Sequence, residues 1–170
     1  MQIPERDQQE NPEMNHTSIQ NALERNIIFL ITVKSSVAYI NSRSTLRQAL
    51  ESMRYHVYTA LPVVTDDGTY IGTVSEGDFL WHILEEKKYT MREQENYLVS
   101  DIIRSGWNPA VRISTTLEEL LLRVMNQNFV PVVDDREKFV GIITRKSVIS
   151  YYHELLEKEI TSVTEASKIT

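Results

Sequence analysis

The run "PVVTDDGTYIGTVSEGD" at Pro62–Asp78 returns as "PVVDDREKFVGIITRKS" at Pro131–Ser147. Such self-similarity constrains the fold more than any local signal, because one supersecondary unit must be built twice and packed against its own copy. Pro62, Gly72, Ser75 and Asp78 fall at one offset on Pro131, Gly141, Thr144 and Ser147, and upstream "STLRQAL" (Ser44–Leu50) matches "TTLEELL" (Thr115–Leu121). Each copy begins with a short strand, "VAYI" (Val37–Ile40) or "AVRI" (Ala110–Ile113). A helix capped by Ser44 or Thr115 follows, with apolar residues at a 3.6-residue period. Next come an apolar strand ("LPVV" or "VPVV"), an acidic turn ("TDDG" or "DDRE") and a third strand ("YIGTVS" or "FVGIIT"). A second helix starts at Glu76 or Arg145 and carries apolar residues at i, i+3 and i+4, so it buries one face.

The fold class expected is therefore α/β (α+β), with two βαββα repeats. Neither repeat has enough surface to bury alone, so the pair is expected to pack sheet to sheet about a pseudo-twofold axis. The charged segment Glu86–Asn96 joins them. The expected organisation is a flexible tail over 1–17, then 18–90 with a helix at Ser18–Leu30 and the first repeat. The linker and second repeat occupy 91–158, and 159–170 is a tail that frays from about Ile160.

Composition excludes several function classes. The hydrophobic share is 41% and the charged share 25%, as in an ordinary soluble domain. A net charge of −6 argues against general nucleic-acid binding. With no cysteine there is no disulfide, thiolate metal site or thiol nucleophile, which suits a reducing cytoplasm. The most apolar stretch, "IIFLITV" at Ile27–Val33, is too short to span a bilayer, and "MQIPERDQQENPEMNH" lacks a signal pattern. His16, His56, His82 and His153 show no metal spacing, and "HELLE" at His153–Glu157 lacks the second histidine of a zinc-protease helix. Nucleophile elbow, phosphate loop and Rossmann fingerprint are all missing. The expectation is a cytoplasmic protein with no catalysis, no catalytic cofactor, no metal, no membrane contact and no nucleic acid.

Ser75, Glu76, Gly77 and Asp78 stand where a strand gives way to a helix. Helix N-terminal amides there are unpaired and attract anions. A carboxylate three residues on lies on nearly the same side, and Gly77 leaves room for a ligand to approach the backbone. That carboxylate can accept two sugar hydroxyls in charge-assisted bonds. Serine followed three residues later by an acid is equally a capping box. The second copy reads Thr144, Arg145, Lys146, Ser147: the hydroxyl stays and the acid is gone. Losing a charge-assisted bond worth roughly 1.5–3 kcal/mol weakens such a grip about ten- to hundredfold. Two cations at a helix N-terminus cost about 0.3–1 kcal/mol each against the macrodipole. Either they sit on a solvated face, or they supply charge to a phosphate.

The order strand, "TLRQAL" helix, "YTALPVV", "GTVSEGD", helix resembles a cystathionine-beta-synthase (CBS) domain. "NFVPVVDDREKFVGIITRKS" resembles its partner, so Ile31 to Glu157 looks like a tandem CBS pair. The run "ITVKSSVAYINSRSTLRQALESMRYHVYTALPVV" is similar to stand-alone CBS-pair proteins of Gram-positive bacteria, some of which bind cyclic di-AMP. The resemblance implies a regulatory module that binds an adenine nucleotide (AMP, ADP, ATP or cyclic di-AMP) between its repeats. It also implies a homodimer through the CBS helices and an unidentified downstream protein; a ligand-independent dimerisation scaffold is the other reading. By resemblance Asp78 takes the ribose with Ser75 beside it, while Ser36, Val37 and Ala38 with Thr59, Ala60, Leu61 and Pro62 hold the adenine. Ala110, Phe129, Val130 and Pro131 line a second cleft, with Thr144 and Ser147 as the counterparts of Ser75 and Asp78. Pseudo-twofold packing in the family then brings Arg145, with Lys146, toward the phosphate. Lys34 and Arg112 could add charge to a cleft, and Phe79 and Trp81 suit core or dimer surface.

Overall fold

The computed structural model describes residues 26–168. In chain order its elements are β1 (Thr32–Val33), β2 (Ile40–Asn41), α1 (Leu46–His56), β3 (Ala60–Val64), β4 (Tyr70–Ser75) and α2 (Glu76–Glu86). Then follow β5 (Val111–Arg112), α3 (Leu117–Val124), β6 (Phe129–Val133), β7 (Phe139–Thr144) and α4 (Arg145–Lys168). They form a three-stranded sheet, β2-β3-β4, and a four-stranded sheet, β1-β7-β6-β5. In both, the parallel β2–β3 or β5–β6 pair is followed by an antiparallel hairpin with a bulge at the same place, Val63/Val64 or Val132/Val133. The two βαββα repeats and the α/β class are as expected.

Helix starts explain why these segments fold as they do. Thr45 Oγ1 accepts the Gln48 N–H while Gln48 Oε1 accepts the Thr45 N–H, a complete capping box. Thr116 caps α3 through the Glu119 N–H. Both caps stand one residue later than the expected Ser44 and Thr115. Leu46, Ala49 and Met53 on α1, and Leu117, Leu120 and Val124 on α3, bury the same face of each helix.

The pairing register corrects the alignment of the first strands. Ile40 pairs with Val63 and Val111 with Val132, so Ile40 answers to Val111. Val37 therefore corresponds to Asn108, and "VAYI" contributes only Ile40 to a strand. Of the helix expected over Ser18–Leu30, residues 18–25 lie outside the described residues, as does the tail 1–17. Ile27–Leu30 is a 3-10 turn. At the other end, α4 runs through to Lys168 rather than fraying from Ile160.

The segments that lead into the repeats are exchanged. Residues before the first repeat pack on the second: Asn26 bridges Thr116, β1 pairs antiparallel with β7, and Ile27 is fully buried among the second repeat's core. Residues before the second repeat pack on the first: Leu98 bridges Thr45, the Val99 N–H donates to Ser44 O at 2.9 Å, and Val99 is fully buried in the first core. Burying such a side chain stabilises by about 1.5–3 kcal/mol, so each repeat depends on the other's leader. The paired glycines make room for this. A Cβ on Gly141 would stand 2.1 Å from the Thr32 carbonyl oxygen, and one on Gly72 would stand 2.5 Å from Ile103 Cγ2. The hairpin tips also meet, with the Phe139 N–H donating to Gly68 O at 2.9 Å and Lys138 Nζ 2.7 Å from Asp67.

Candidate functional site: two clefts between the repeats

Exchange of the leaders decides what faces what. Each strand-to-helix junction looks toward the leader of the other repeat, which produces two related clefts. The first, of about 290 Å³, is lined by Ser75, Glu76 and Gly77 from the β4–α2 junction, by Trp107 and Asn108, and by Thr59, Ala60 and Gln127–Phe129. The second, of about 250 Å³, is lined by Thr144 and Ile142 of β7, by Thr32 and Ser36–Ala38, and by Tyr58, Ala60–Pro62, Asn128 and Phe129. Ala60, Asn128 and Phe129 belong to both, so β3 and β6 form a common wall.

This arrangement redistributes the expected site residues. Ser36, Val37, Ala38, Ala60, Leu61, Pro62, Phe129 and Thr144 come together in the second cleft. Thr59 and Ser75 line the first. The expected grouping of Ser75 and Asp78 with Ser36–Ala38 is thus corrected: those leader residues face Thr144 instead. Val130 is fully buried in the second repeat's core and Pro131 is buried in β6, and neither is among the residues that line these two clefts. Ala110 lines a separate surface hollow with Arg112 and Thr115. Ser147 turns back on its own helix start, its N–H donating to Thr144 Oγ1 at 3.0 Å and its Oγ to Thr144 O at 2.8 Å. Lys146 is exposed.

Arg145 corrects a central expectation. Its Nε donates to the Val124 and Gln127 carbonyls at 2.8 and 3.1 Å, where α3 ends. Basic side chains suit the carbonyl end of a helix, which explains why this guanidinium turns there. It walls an apolar groove between α3 and α4, alongside Val148 and Tyr152, and it does not meet Asp78.

The cation that does meet Asp78 is Arg104. Its Nε lies 2.5 Å from Asp78 Oδ1, and its Nη2 reaches Oδ2 at 3.5 Å and Ser75 Oγ at 3.3 Å. Asp78 Oδ2 also accepts the Ser75 N–H and Oγ–H, both at 2.7 Å. The Asp78 side chain is only 2% exposed while that of Arg104 is half exposed. The guanidinium lies over the Trp107 ring, 4.0 Å from its centroid, in cation–π contact. Nothing in "DIIRSGWNP" resembles a motif; the available signal was a buried acid in need of a counter-charge.

The polarity of the two clefts differs behind the lining as well. Asn108 Nδ2 donates to the buried Thr73 Oγ1 at 3.2 Å, and the Tyr70 hydroxyl donates to the Asn108 carbonyl at 2.8 Å. Burial pushes the Tyr70 phenol up to about 12. Asn108 Oδ1 is buried with no hydrogen-bond partner among the described residues. In the other repeat the positions of Tyr70, Thr73 and Asn108 are held by Phe139, Ile142 and Val37, and that polar network has no counterpart.

Two interlocked βαββα repeats enclosing a pair of related clefts define a tandem-repeat pair protein. The pattern that defines the CBS domain matches residues 30–85 and again 99–154. The chain belongs to the CBS domain family and carries the domain as a tandem pair. It is 26% identical over 133 residues to a CBS domain-containing protein of Dictyostelium discoideum, covering 74% of this chain and 90% of that protein. It is also 26% identical over 143 residues to the chloroplastic CBS domain-containing protein CBSX2 of Arabidopsis thaliana, covering 70% of this chain and 60% of that one. Among solved structures, CbpB in complex with c-di-AMP superposes with a TM-score of 0.79 at 20% identity, over 88% of this chain and 99% of that one, a likeness of fold. CBSX2 in complex with AMP superposes with a TM-score of 0.62 at 27% identity, over 76% and 97%. Among the described residues no helix is long and apolar enough to cross a membrane, and no group of side chains could hold a metal ion.

Proposed function

We propose that this protein is a non-catalytic regulatory sensor that binds an adenine nucleotide in a cleft between its repeats. The observation that carries the reading is the first cleft. There a strand-to-helix junction with a hydroxyl and a buried acid faces an aromatic and an amide from the opposite leader. Asp78 supplies the acceptor for a ribose, and Trp107, Asn108 and Phe129 supply a wall on which a base can lie. A ligand that touches both repeats stabilises one relative arrangement of them, which is the requirement for signalling. CBSX2 has been solved with AMP and CbpB with c-di-AMP. Titration calorimetry with AMP, ADP, ATP and cyclic di-AMP tests the reading: one of them is expected to bind below millimolar concentration, and binding by none sinks it.

The second cleft favours a second ligand chemistry. Val37, Leu61, Pro62 and Ile142 contribute apolar walls beside the neutral Thr32, Ser36, Tyr58, Asn128 and Thr144, and no carboxylate lines it. In cyclic di-AMP the 3′ and 5′ oxygens are tied into the phosphodiester ring and each ribose keeps only its 2′-hydroxyl, so it offers no vicinal diol and gains less from Asp78 than AMP does. Cyclic di-AMP binding that survives Asp78→Asn supports this alternative.

The helices face outward with large apolar residues: Leu80, Trp81 and Leu84 on α2, and Ile149 and Leu156 on α4, all at least 48% exposed. A homodimer through these helices covers that surface. Sedimentation showing a monomer at all concentrations excludes it, and the downstream protein that such a sensor needs is then sought as a partner for the same face.

A further inference from the structure

Arg104 lies outside the repeated motif, yet it pairs with the buried acid of the β4–α2 junction. The Asp78 carboxylate is covered, its side chain 2% exposed: Ser75 N–H and Oγ–H hold Oδ2, and the Arg104 fork lies across both oxygens. A ribose hydroxyl can reach that carboxylate only by displacing the guanidinium. The displaced arginine then needs a new anion close by, since it remains beside Trp107, which walls the same cleft. None of the residues lining this cleft is a cation, and Glu76 adds a negative charge to it. A phosphate entering without Arg104 meets repulsion from both Glu76 and Asp78.

We propose that Arg104 makes this cleft select phosphorylated nucleosides over bare ones through an exchange of partners. The ligand's diol replaces the guanidinium on Asp78, and the ligand's phosphate receives the guanidinium in turn. The inference rests on the nucleotide reading given above. Charge stays balanced, because Asp78 gives up an ionic partner for two hydroxyl donors while Arg104 gives up a carboxylate for a phosphate. A bare nucleoside offers only the first half of the exchange and leaves the arginine without an anion. Arg104 thus sets specificity, and Asp78 both holds the sugar and keeps the arginine in place until a phosphate arrives.

The test compares AMP with adenosine on the full chain carrying Trp81→Phe. The chain has two tryptophans, so Trp107 emission then reports this cleft alone. With Arg104 intact, AMP is expected to bind at least about tenfold tighter than adenosine. Arg104→Met is expected to weaken AMP by about tenfold or more and to tighten adenosine, because Asp78 is then unclaimed. Arg104→Lys keeps the charge and is expected to retain most of the preference. Partial unfolding would weaken both ligands, so movement in opposite directions separates specificity from damage. If Arg104→Met shifts both ligands by the same factor, or neither, the exchange is wrong while the nucleotide reading stands. If none of AMP, adenosine, ADP, ATP and cyclic di-AMP changes Trp107 emission or produces heat in any of these proteins, the nucleotide reading fails and takes the exchange with it.

Discussion

The two clefts have the same ancestry in the sequence and the same geometry, yet opposite interiors. One is backed by Tyr70, Thr73 and Asn108, with a buried acid held under an arginine; the other puts Phe139, Ile142 and Val37 in those places and a self-satisfied serine where the acid was. A repeat duplicates backbone and packing, while ligand chemistry is set by a few side chains that packing leaves free. The junction positions make this plain. Glu76 N–H donates to Thr59 O and Arg145 N–H donates to Asn128 O, the same backbone bond in each copy, yet Glu76 lines a cleft and Arg145 caps a helix.

The paired glycines offer the most forceful way to separate the halves. At Gly141 a methyl group meets the backbone of β1 at 2.1 Å, and a backbone in a sheet cannot step aside. Gly141→Ala is therefore expected to cost about 3 kcal/mol or more and to open the apolar cleft by unseating Thr32. At Gly72 the neighbour is the Ile103 side chain, which can change rotamer, but φ is +157°, where an L residue is strained, so Gly72→Ala is expected to cost about 1–3 kcal/mol. Chemical denaturation measures both. A loss at Gly72 as large as that at Gly141 would mean that Ile103 cannot step aside and the Gly72 backbone strain adds to a rigid contact.

Asp78→Asn comes next. It is expected to lower AMP affinity about ten- to hundredfold. Any ligand of the apolar cleft should bind as before, and calorimetric stoichiometry distinguishes the two.

Tyr70→Phe converts the polar backing toward its counterpart, where Phe139 already stands. Loss of the hydroxyl's bonds to Thr73 and Asn108 is expected to cost about 0.5–1.5 kcal/mol at neutral pH. The pH dependence carries a sign. The phenol ionises near 10 in the unfolded chain and at about 12 in the fold, so its contribution is complete below pH 10. It is lost as pH rises from there toward 12. Tyr70→Phe should flatten that part of the stability curve, and an unchanged slope would show that other groups cause it.

Gly77→Ala is the mildest change. An added Cβ finds Ser75 Oγ and Trp81 Nε1 at 3.6 Å, ordinary contact, and alanine gains about 0.5–1 kcal/mol of helix propensity. Thermal stability should hold or rise slightly while nucleotide binding in the polar cleft falls, because the methyl enters the space a ligand needs. A fall in stability would argue that Gly77 serves the fold.

The repeat, the four longer strands and the start of α2 and α4 were legible because they rest on local signals: apolar runs, acidic turns and a glycine at matching places. The exchange of leaders was not. It rests on contacts such as Asn26 with Thr116 and Thr45 with Leu98, far apart in the chain and without periodicity. That one unread feature misplaced the partners of Asp78, since the leader facing it is Trp107–Asn108 rather than Ser36–Ala38. A two-residue slip in aligning the first strands concealed Asn108 as the counterpart of Val37. Arg145 is expected at the phosphate from its charge and from the family's pseudo-twofold packing, and the open carbonyls at the end of α3 claim it instead.

A crystal structure of the protein grown with AMP tests the account most directly. The expected density places the ribose on Asp78, the base along Asn108 and Phe129, and the Arg104 guanidinium moved from the carboxylate to the phosphate. A ribose on Asp78 with its base against Ser36–Ala38, or a nucleotide bound while Arg104 stays on Asp78, would contradict it.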